Sequence, residues 1–139
     1  MSLKSIITPT LLLIIALFAA CGTGGSGGEK VIKSAKAGEM TVAISSATGE
    51  LKNGENDLMV TFADAAGKPV DVGAASLNFH MAAMGAMAEM NDKATLTTTE
   101  TPGKYRASVN IEMVGTWEAQ VKYQGSHGAG QTTMTVQAK

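Results

Sequence analysis

Between residues 39 and 139, apolar and polar side chains alternate with a period of two in short runs. Such alternation is typical of half-buried β-strands, and no run of about 12 residues has an apolar stripe at helical spacing. Residues that favour turns, such as Asn53-Gly54 and Gln124-Gly125, separate the runs. The pattern predicts strands at residues 40–46, 57–63, 74–80, 94–99, 104–111, 116–123 and 131–137.

Short, regularly spaced strands of this kind predict an all-β fold, an immunoglobulin-like antiparallel β-sandwich of about seven strands. Leu58, Val60 and Phe62 alternate on one predicted strand, so we expect them to share the buried face. The usual disulfide of such domains is ruled out because the chain has a single cysteine. We expect the strand that carries Trp117 and Tyr123 to supply the central packing in its place.

The first 20 residues predict a lipoprotein signal peptide. Lys4 supplies a positive charge, and the apolar run over residues 6–18 is shorter than the ~20 residues that a membrane-spanning helix needs. The run ends in Leu17-Phe18-Ala19-Ala20-Cys21, which resembles a bacterial lipobox, although Phe18 stands where that pattern prefers Leu. An ordinary cleavage site beside a chance cysteine is the alternative interpretation.

Cys21 is the only cysteine, and a lone thiol outside the cytoplasm is a liability unless it is modified. We therefore expect Cys21 to be acylated and to attach the protein to membrane lipid, since several acyl chains give stable anchoring. The resemblance implies an extracytoplasmic, lipid-anchored protein. Gly22 after the cysteine implies the outer membrane facing the periplasm in a Gram-negative cell, or the outer face of the plasma membrane in a Gram-positive cell.

Residues 21–38 begin with a glycine-rich run and continue into a lysine-rich stretch. This composition is typical of a flexible coil, so we expect a tether up to residue 38 and a single folded domain over residues 39–139.

Composition and charge exclude several classes of function. The chain has 11 basic and 12 acidic residues with no long run of either sign, so nucleic acid is not an expected partner. No nucleophile elbow, His-x-x-x-His pair or isolated carboxylate pair is present in the sequence. We expect a binding protein and not an enzyme.

Unusual side-chain chemistry is concentrated in one segment, in which His80 is followed by Met81, Met84, Met87 and Met90. On an α-helix a step of three residues disperses the side chains, so all four sulfurs could not meet one ion. In a conformation of three residues per turn, either 3₁₀ or polyproline II, they fall on one face. A shared site therefore requires a loop that is not α-helical.

Two interpretations of this segment remain open. Thioethers are soft ligands that suit Cu(I), with Ag(I) as a second candidate, and His80 adds a nitrogen ligand; the ligand set would be drawn from His80, Met81, Met84, Met87 and Met90. Methionine also fills irregular apolar gaps, so the other interpretation is that the segment plugs the end of a sandwich that has few aromatic residues, without any cofactor.

Two further side chains lie near this question. Met113 alternates with Ile111, which favours core packing. His127 lies in a glycine-rich predicted hairpin loop, where we expect it to be exposed; the alternative is that it folds onto the methionine segment.

Four motifs in order resemble the YtkA-like domain family, namely 64–70 (DAAGKPV), 81–87 (MAAMGAM), 102–105 (PGKY) and 113–117 (MVGTW). Ala82 stands where that family often has proline. The resemblance implies a small exported immunoglobulin-like domain, often a lipoprotein or a part of a metal-efflux or oxidase-assembly system. It therefore adds an efflux or oxidase-assembly protein of the membrane as a candidate partner, with the methionine segment as the apolar contact surface.

Overall fold

The computed structural model describes residues 29–139, and the predictions made for the signal peptide, for Cys21 and for residues 22–28 lie outside this range. No helix within residues 29–139 is long and apolar enough to cross a membrane. The strands of the described range are β1 (Lys30–Ala37), β2 (Met40–Ser46), β3 (Gly54–Ala63), β4 (Ala74–Met81), β5 (Met90–Lys93), β6 (Thr95–Thr98), β7 (Lys104–Ile111), β8 (Gly115–Gly125) and β9 (Gly128–Ala138).

The strands form two antiparallel sheets. One has the order β1-β2-β3-β7-β6 and the other the order β5-β4-β8-β9. When β1 and β5 are set aside, these orders are those of the A-B-E-D and C-F-G sheets of an immunoglobulin constant-type domain. The predicted all-β sandwich is confirmed, with nine strands in the described range where about seven were expected.

The core lies between the two sheets and follows the alternation of the sequence. Leu58, Val60 and Phe62 on β3 are at most 2% exposed, as predicted. Trp117 and Tyr123 on β8 are buried against them from the opposite sheet, also as predicted. Every second residue of these strands therefore packs inward while its neighbours face solvent.

The prediction of a flexible tether up to residue 38 is wrong for Lys30–Ala37, which forms β1 and pairs with β2. A bulge at Ile32 shifts the register, so Ile32 and Ala35 both pack against the core although they are three residues apart. The lysines of β1 are exposed, and lysine is a common residue on edge strands because it opposes pairing with other chains. The phenolic hydroxyl of Tyr123 donates a hydrogen bond of 2.8 Å to the Ala37 carbonyl and fixes the end of the strand.

The strand predicted over residues 94–99 is found as β6, but strand β5 immediately before it, which belongs to the other sheet, was not predicted. β5 pairs with β4, and β6, which starts two residues after β5 ends, pairs with β7. Ala94 makes the crossing, with 5% exposure and an N–H that donates to the Leu77 carbonyl at 3.0 Å. Alternation continues through such a crossing, so it does not reveal the change of partner strand.

The two ends of the sandwich differ in the segments that they bring together. Lys30 pairs with Ser46, and Ala138 bridges to both Leu51 and Gly115, so the start of β1 and the C-terminus lie at one end. We call this the N-terminal end; it also holds the connection from β4 to β5 and residues 112–114. The opposite end, called the far end, holds residues 38–39, 64–73, 99–103 and 126–127.

Candidate methionine site

The methionine segment is a β-hairpin at the N-terminal end of the sandwich. Met81, the last residue of β4, pairs with Met90, the first residue of β5. Met84 and Met87 form a second antiparallel pair and exchange two backbone hydrogen bonds of 3.1 and 2.9 Å. The spacing of three therefore arises from two cross-strand pairs, one at the base of the hairpin and one at its tip.

A two-residue turn closes the tip between Met84 and Met87. Gly85 has a φ of 56°, and Ala86 has a negative φ. This order matches a type II′ turn, which takes glycine at its first central position and suits the twist of a hairpin. The conformation of three residues per turn that would place all four sulfurs on one face is not formed, because the backbone N–H groups of Met84 and Met87 bond across the hairpin and not along the chain. The requirement for a segment that is not α-helical is met.

The four methionines divide into a buried pair and an exposed pair. Met81 is 4% exposed, and Met90 packs half-buried against the same core. A Cβ built on Gly115 would lie 3.2 Å from the terminal methyl of Met81, so that side chain fills the space at the start of β8. By contrast, the side chains of Met84 and Met87 are 62% and 43% exposed.

His80 lies on the opposite face of the sheet from Met81. The burial pattern of β4 alternates, with Phe79 and Met81 inward and His80 outward. The Nδ1 atom of His80 lies 3.1 Å from the Asn91 side-chain oxygen, and its Nε2 atom lies 3.9 Å from a Glu89 carboxylate oxygen. His80 is thus held in a polar surface and is not directed at the inward-facing sulfur.

The polar surface around His80 is a hydrogen-bonded network that the sequence did not reveal. The Asn78 amide donates to the Asn91 side-chain oxygen at 3.1 Å and to the Gln120 side-chain oxygen at 3.2 Å. Asn91 on β5 therefore joins Asn78 and His80 of β4, and Gln120 extends the network to β8 on the outer face. A polar residue at every second position of β4 was the available signal, but the pairing of β5 with β4 was needed to connect it.

The structure separates the predicted ligand set His80, Met81, Met84, Met87 and Met90 into three locations. His80 is on the outer face, Met81 and Met90 are at the core, and Met84 and Met87 share the exposed tip. Met84 and Met87 are directly opposite each other, and such residues of an antiparallel pair project to the same side with their Cβ atoms about 4.5–5.5 Å apart. Within residues 29–139, no group of three or more His, Cys, Asp or Glu side chains is placed to hold a metal ion.

The tip of the hairpin is an exposed apolar surface. All residues from Ala82 to Ala88 are exposed, and none has a polar side chain. Val114, 56% exposed, belongs to the same end of the sandwich. Met84, Met87 and Val114 are three of the four exposed large apolar side chains in the described part of the chain, so this end differs chemically from the rest of the surface.

The two neighbouring side chains take the expected positions. Met113 packs half-buried against the core, and its carbonyl accepts a hydrogen bond of 2.9 Å from the Trp117 indole, which confirms core packing. His127 is exposed in the turn between β8 and β9, as predicted. Because that turn is at the far end, the alternative in which His127 folds onto the methionine segment is wrong.

The chain is similar to one family of known proteins. A protein-family model described as YtkA-like matches residues 34–122, more than half of the chain. The matched range begins within β1 and ends within β8, so it includes the methionine hairpin and strands of both sheets. Neither the curated proteins nor the solved structures give a match.

Proposed function

The chain belongs to the YtkA-like family, and on that basis we propose that it is a lipid-anchored extracytoplasmic binding module whose contact element is the hairpin tip, residues 82–88. The observation that carries this proposal is the exposure of seven consecutive residues without a polar side chain. Exposed apolar patches on small soluble domains mark interaction sites. The division of the methionines supports it, because only Met84 and Met87 are available to a partner.

Anchoring is the second part of the proposal. The lipobox-like sequence that ends at Cys21 and the lack of any other cysteine support acylation at that position. A membrane-attached domain then meets its binding partner at the membrane surface, where an efflux or oxidase-assembly protein is a candidate. The proposal includes no catalytic step.

Contact through the tip is tested by photo-crosslinking from position 86 in native membranes. A photoreactive residue replaces Ala86, whose side chain is exposed at the turn. We expect adducts with membrane lipid or with a membrane protein from the otherwise unchanged chain. A Met84→Leu/Met87→Leu background, which keeps apolar side chains of similar size, should retain them. A Met84→Ser/Met87→Ser background should lose most of them, and equal adduct yields from all three would refute an apolar contact.

Capture of Cu(I) is a second candidate function, favoured by the position of Met84 directly opposite Met87. Two uncharged thioethers on one side of a hairpin are ligands that Cu(I) accepts and that Zn(II), Mg(II) or Ca(II) do not prefer. Two ligands from this chain leave a further position for a ligand from a partner protein, as transfer of the ion requires.

The same leucine pair separates the two functions. Under the copper proposal, Met84→Leu/Met87→Leu abolishes Cu(I) binding in a competition titration, while Met81→Leu has little effect because that side chain is buried. Under the apolar-contact proposal, the leucine pair retains crosslinking, and a Cu(I) chelator does not change the yield. A titration that is unchanged by the leucine pair would eliminate Met84 and Met87 as Cu(I) ligands.

A further inference from the structure

The chain enters the domain at the same end as the hairpin tip. A Cβ built on Gly49 would lie 3.0 Å from the Cβ of Lys30, which places the loop after β2 beside the start of β1. The next residue of that loop, Glu50, forms an ion pair with Lys139 at the C-terminus. β9 ends beside the start of β8, against which Met81 packs. These contacts join the first described residues to the base of the hairpin.

Because residues 30–37 form strand β1, the tether is shorter than predicted. Only the residues from Gly22 to Glu29 separate Cys21 from the first strand, whereas a tether up to residue 38 would have been about twice as long. Eight residues reach at most about 29 Å when fully extended. The 11 residues of β8 span roughly 36 Å. An anchor at Cys21 therefore holds the N-terminal end toward the lipid and keeps the far end away from it.

The surface at this end suits an uncharged apolar contact. Met84, Met87 and Val114 are exposed there. The exposed charged residues at this end are of both signs, with Lys30, Lys52 and Lys139 as the basic ones and Glu50, Glu55, Glu89 and Glu112 as the acidic ones. This end therefore has no cluster of basic side chains that would select anionic lipid.

We propose that the hairpin tip contacts the lipid bilayer itself, with the side chains of Met84 and Met87 inserted at the boundary between the headgroups and the acyl chains. The proposal rests on the acylation of Cys21 put forward above. A short tether gives the tip an effective concentration in the millimolar range at the membrane, so even a small apolar surface is sufficient for contact. Acyl anchor and hairpin tip then form two attachments that fix the orientation of the domain.

The test uses methionine oxidation as a measure of exposure to water. The acylated full chain carries Ser126→Met, which adds an exposed methionine at the far end as an internal control, and is placed in phosphatidylcholine vesicles. Hydrogen peroxide is added, and sulfoxide formation at each methionine is followed by peptide mass spectrometry. The same measurement is repeated after the domain has been released by a protease at a site inserted between Gly27 and Gly28.

We expect Met84 and Met87 to oxidise several-fold more slowly on the vesicle than after release, and the control methionine at position 126 to oxidise at the same rate in both states. Addition of phosphatidylglycerol should leave the protection unchanged, because the charges at this end are mixed. Equal rates at Met84 before and after release would overturn the proposal.

Two further outcomes separate this proposal from those on which it rests. Protection in native membranes but not in lipid vesicles would assign the tip to a protein and refute the lipid contact while keeping the contact function. An unmodified Cys21 in the mass spectrum would instead refute the anchor. Covalent coupling of Cys21 to a maleimide lipid then repeats the test of the tip, and unprotected methionines in that state would also refute the lipid contact.

Discussion

The hairpin tip, residues 82–88, and the far-end segment of residues 64–73 are both long connections, yet they are held in different ways. The tip has two backbone hydrogen bonds of its own and no buried side chain. The far-end segment is tied to two strands and to the core, since the Val70 N–H donates to the Phe62 carbonyl, the Tyr105 hydroxyl donates to the Gly73 carbonyl and Val72 is fully buried. The far-end segment is therefore part of the packed domain, whereas the hairpin tip extends from it.

This contrast indicates where the molecule tolerates change. A connection with exposed side chains is held in shape mainly by its own turn, while one packed among strands is constrained by every neighbour. The apolar residues of the tip are exposed and lie outside the buried core, as the proposed contact with a partner requires. The contrast can be tested by paired substitutions, one member at each end.

Glycine substitutions give the largest expected difference. Gly103 at the far end has a φ of 83°, and a Cβ there would lie 2.5 Å from the Val70 carbonyl oxygen. Gly103→Ala therefore combines a left-handed conformation with a backbone clash and should cost roughly 3 kcal/mol or more. Gly85→Ala meets nothing within 4 Å and should cost about 1–2 kcal/mol from its φ alone. Urea unfolding measures both, and similar losses would contradict the contrast.

The methionines give the next largest difference. Met81→Ala removes a side chain that is 4% exposed and leaves a cavity beside Gly115, so we expect a loss of about 2–5 kcal/mol. Met84→Ala changes a side chain that is 62% exposed and should stay within about 0.5 kcal/mol of the unchanged chain. Thermal or urea unfolding measures both changes in stability. A costly Met84→Ala would mean that the tip contributes to the core after all.

Much of the fold followed from alternation alone. The bounds predicted for β2 and β7 are those observed, and the inward residues of β3 and β8 were identified correctly. Strand β1 was missed because its exposed lysines and its bulge at Ile32 disrupt the period of two. The crossing at Ala94 was missed because alternation reports which face is buried and not which strand is the neighbour.

The site was harder to predict than the fold. Its composition drew attention to the right segment, but a spacing of three is compatible with a helix, an extended strip or two cross-strand pairs. The deciding signal was Gly85 between Met84 and Met87, since glycine at the first position of a two-residue turn favours a hairpin. Within that hairpin, adjacency in sequence placed His80 and Met81 on opposite faces, as alternation in a strand requires.

A smaller loss of stability is expected when the hydrogen bond that holds the end of β1 at the far end is removed. Tyr123→Phe removes the hydrogen bond to the Ala37 carbonyl and leaves that buried acceptor without its donor, at a cost of about 1–2 kcal/mol. Amide hydrogen exchange should become faster in β1 in particular. Tyr105→Phe is the matched control, because it removes a similar bond of 2.8 Å to Gly73 but leaves β1 in place. Equal exchange in β1 for both variants would show that Tyr123 does not fix this strand.

The smallest expected effect is the contribution of the far-end Tyr105 to the dependence of stability on alkaline pH. Burial, together with the nearby Asp71 carboxylate, raises the pKa of Tyr105 above its ordinary value of 10.0. Because the folded pKa exceeds the unfolded one, the stability linked to this group is complete below pH about 10 and is lost as the pH rises through the folded pKa. Urea midpoints measured across this range should therefore fall less steeply for Tyr105→Phe than for the unchanged chain. The substitution Met87→Leu at the tip should leave the slope unaltered, and identical slopes for all three chains would show that Tyr105 has no part in it.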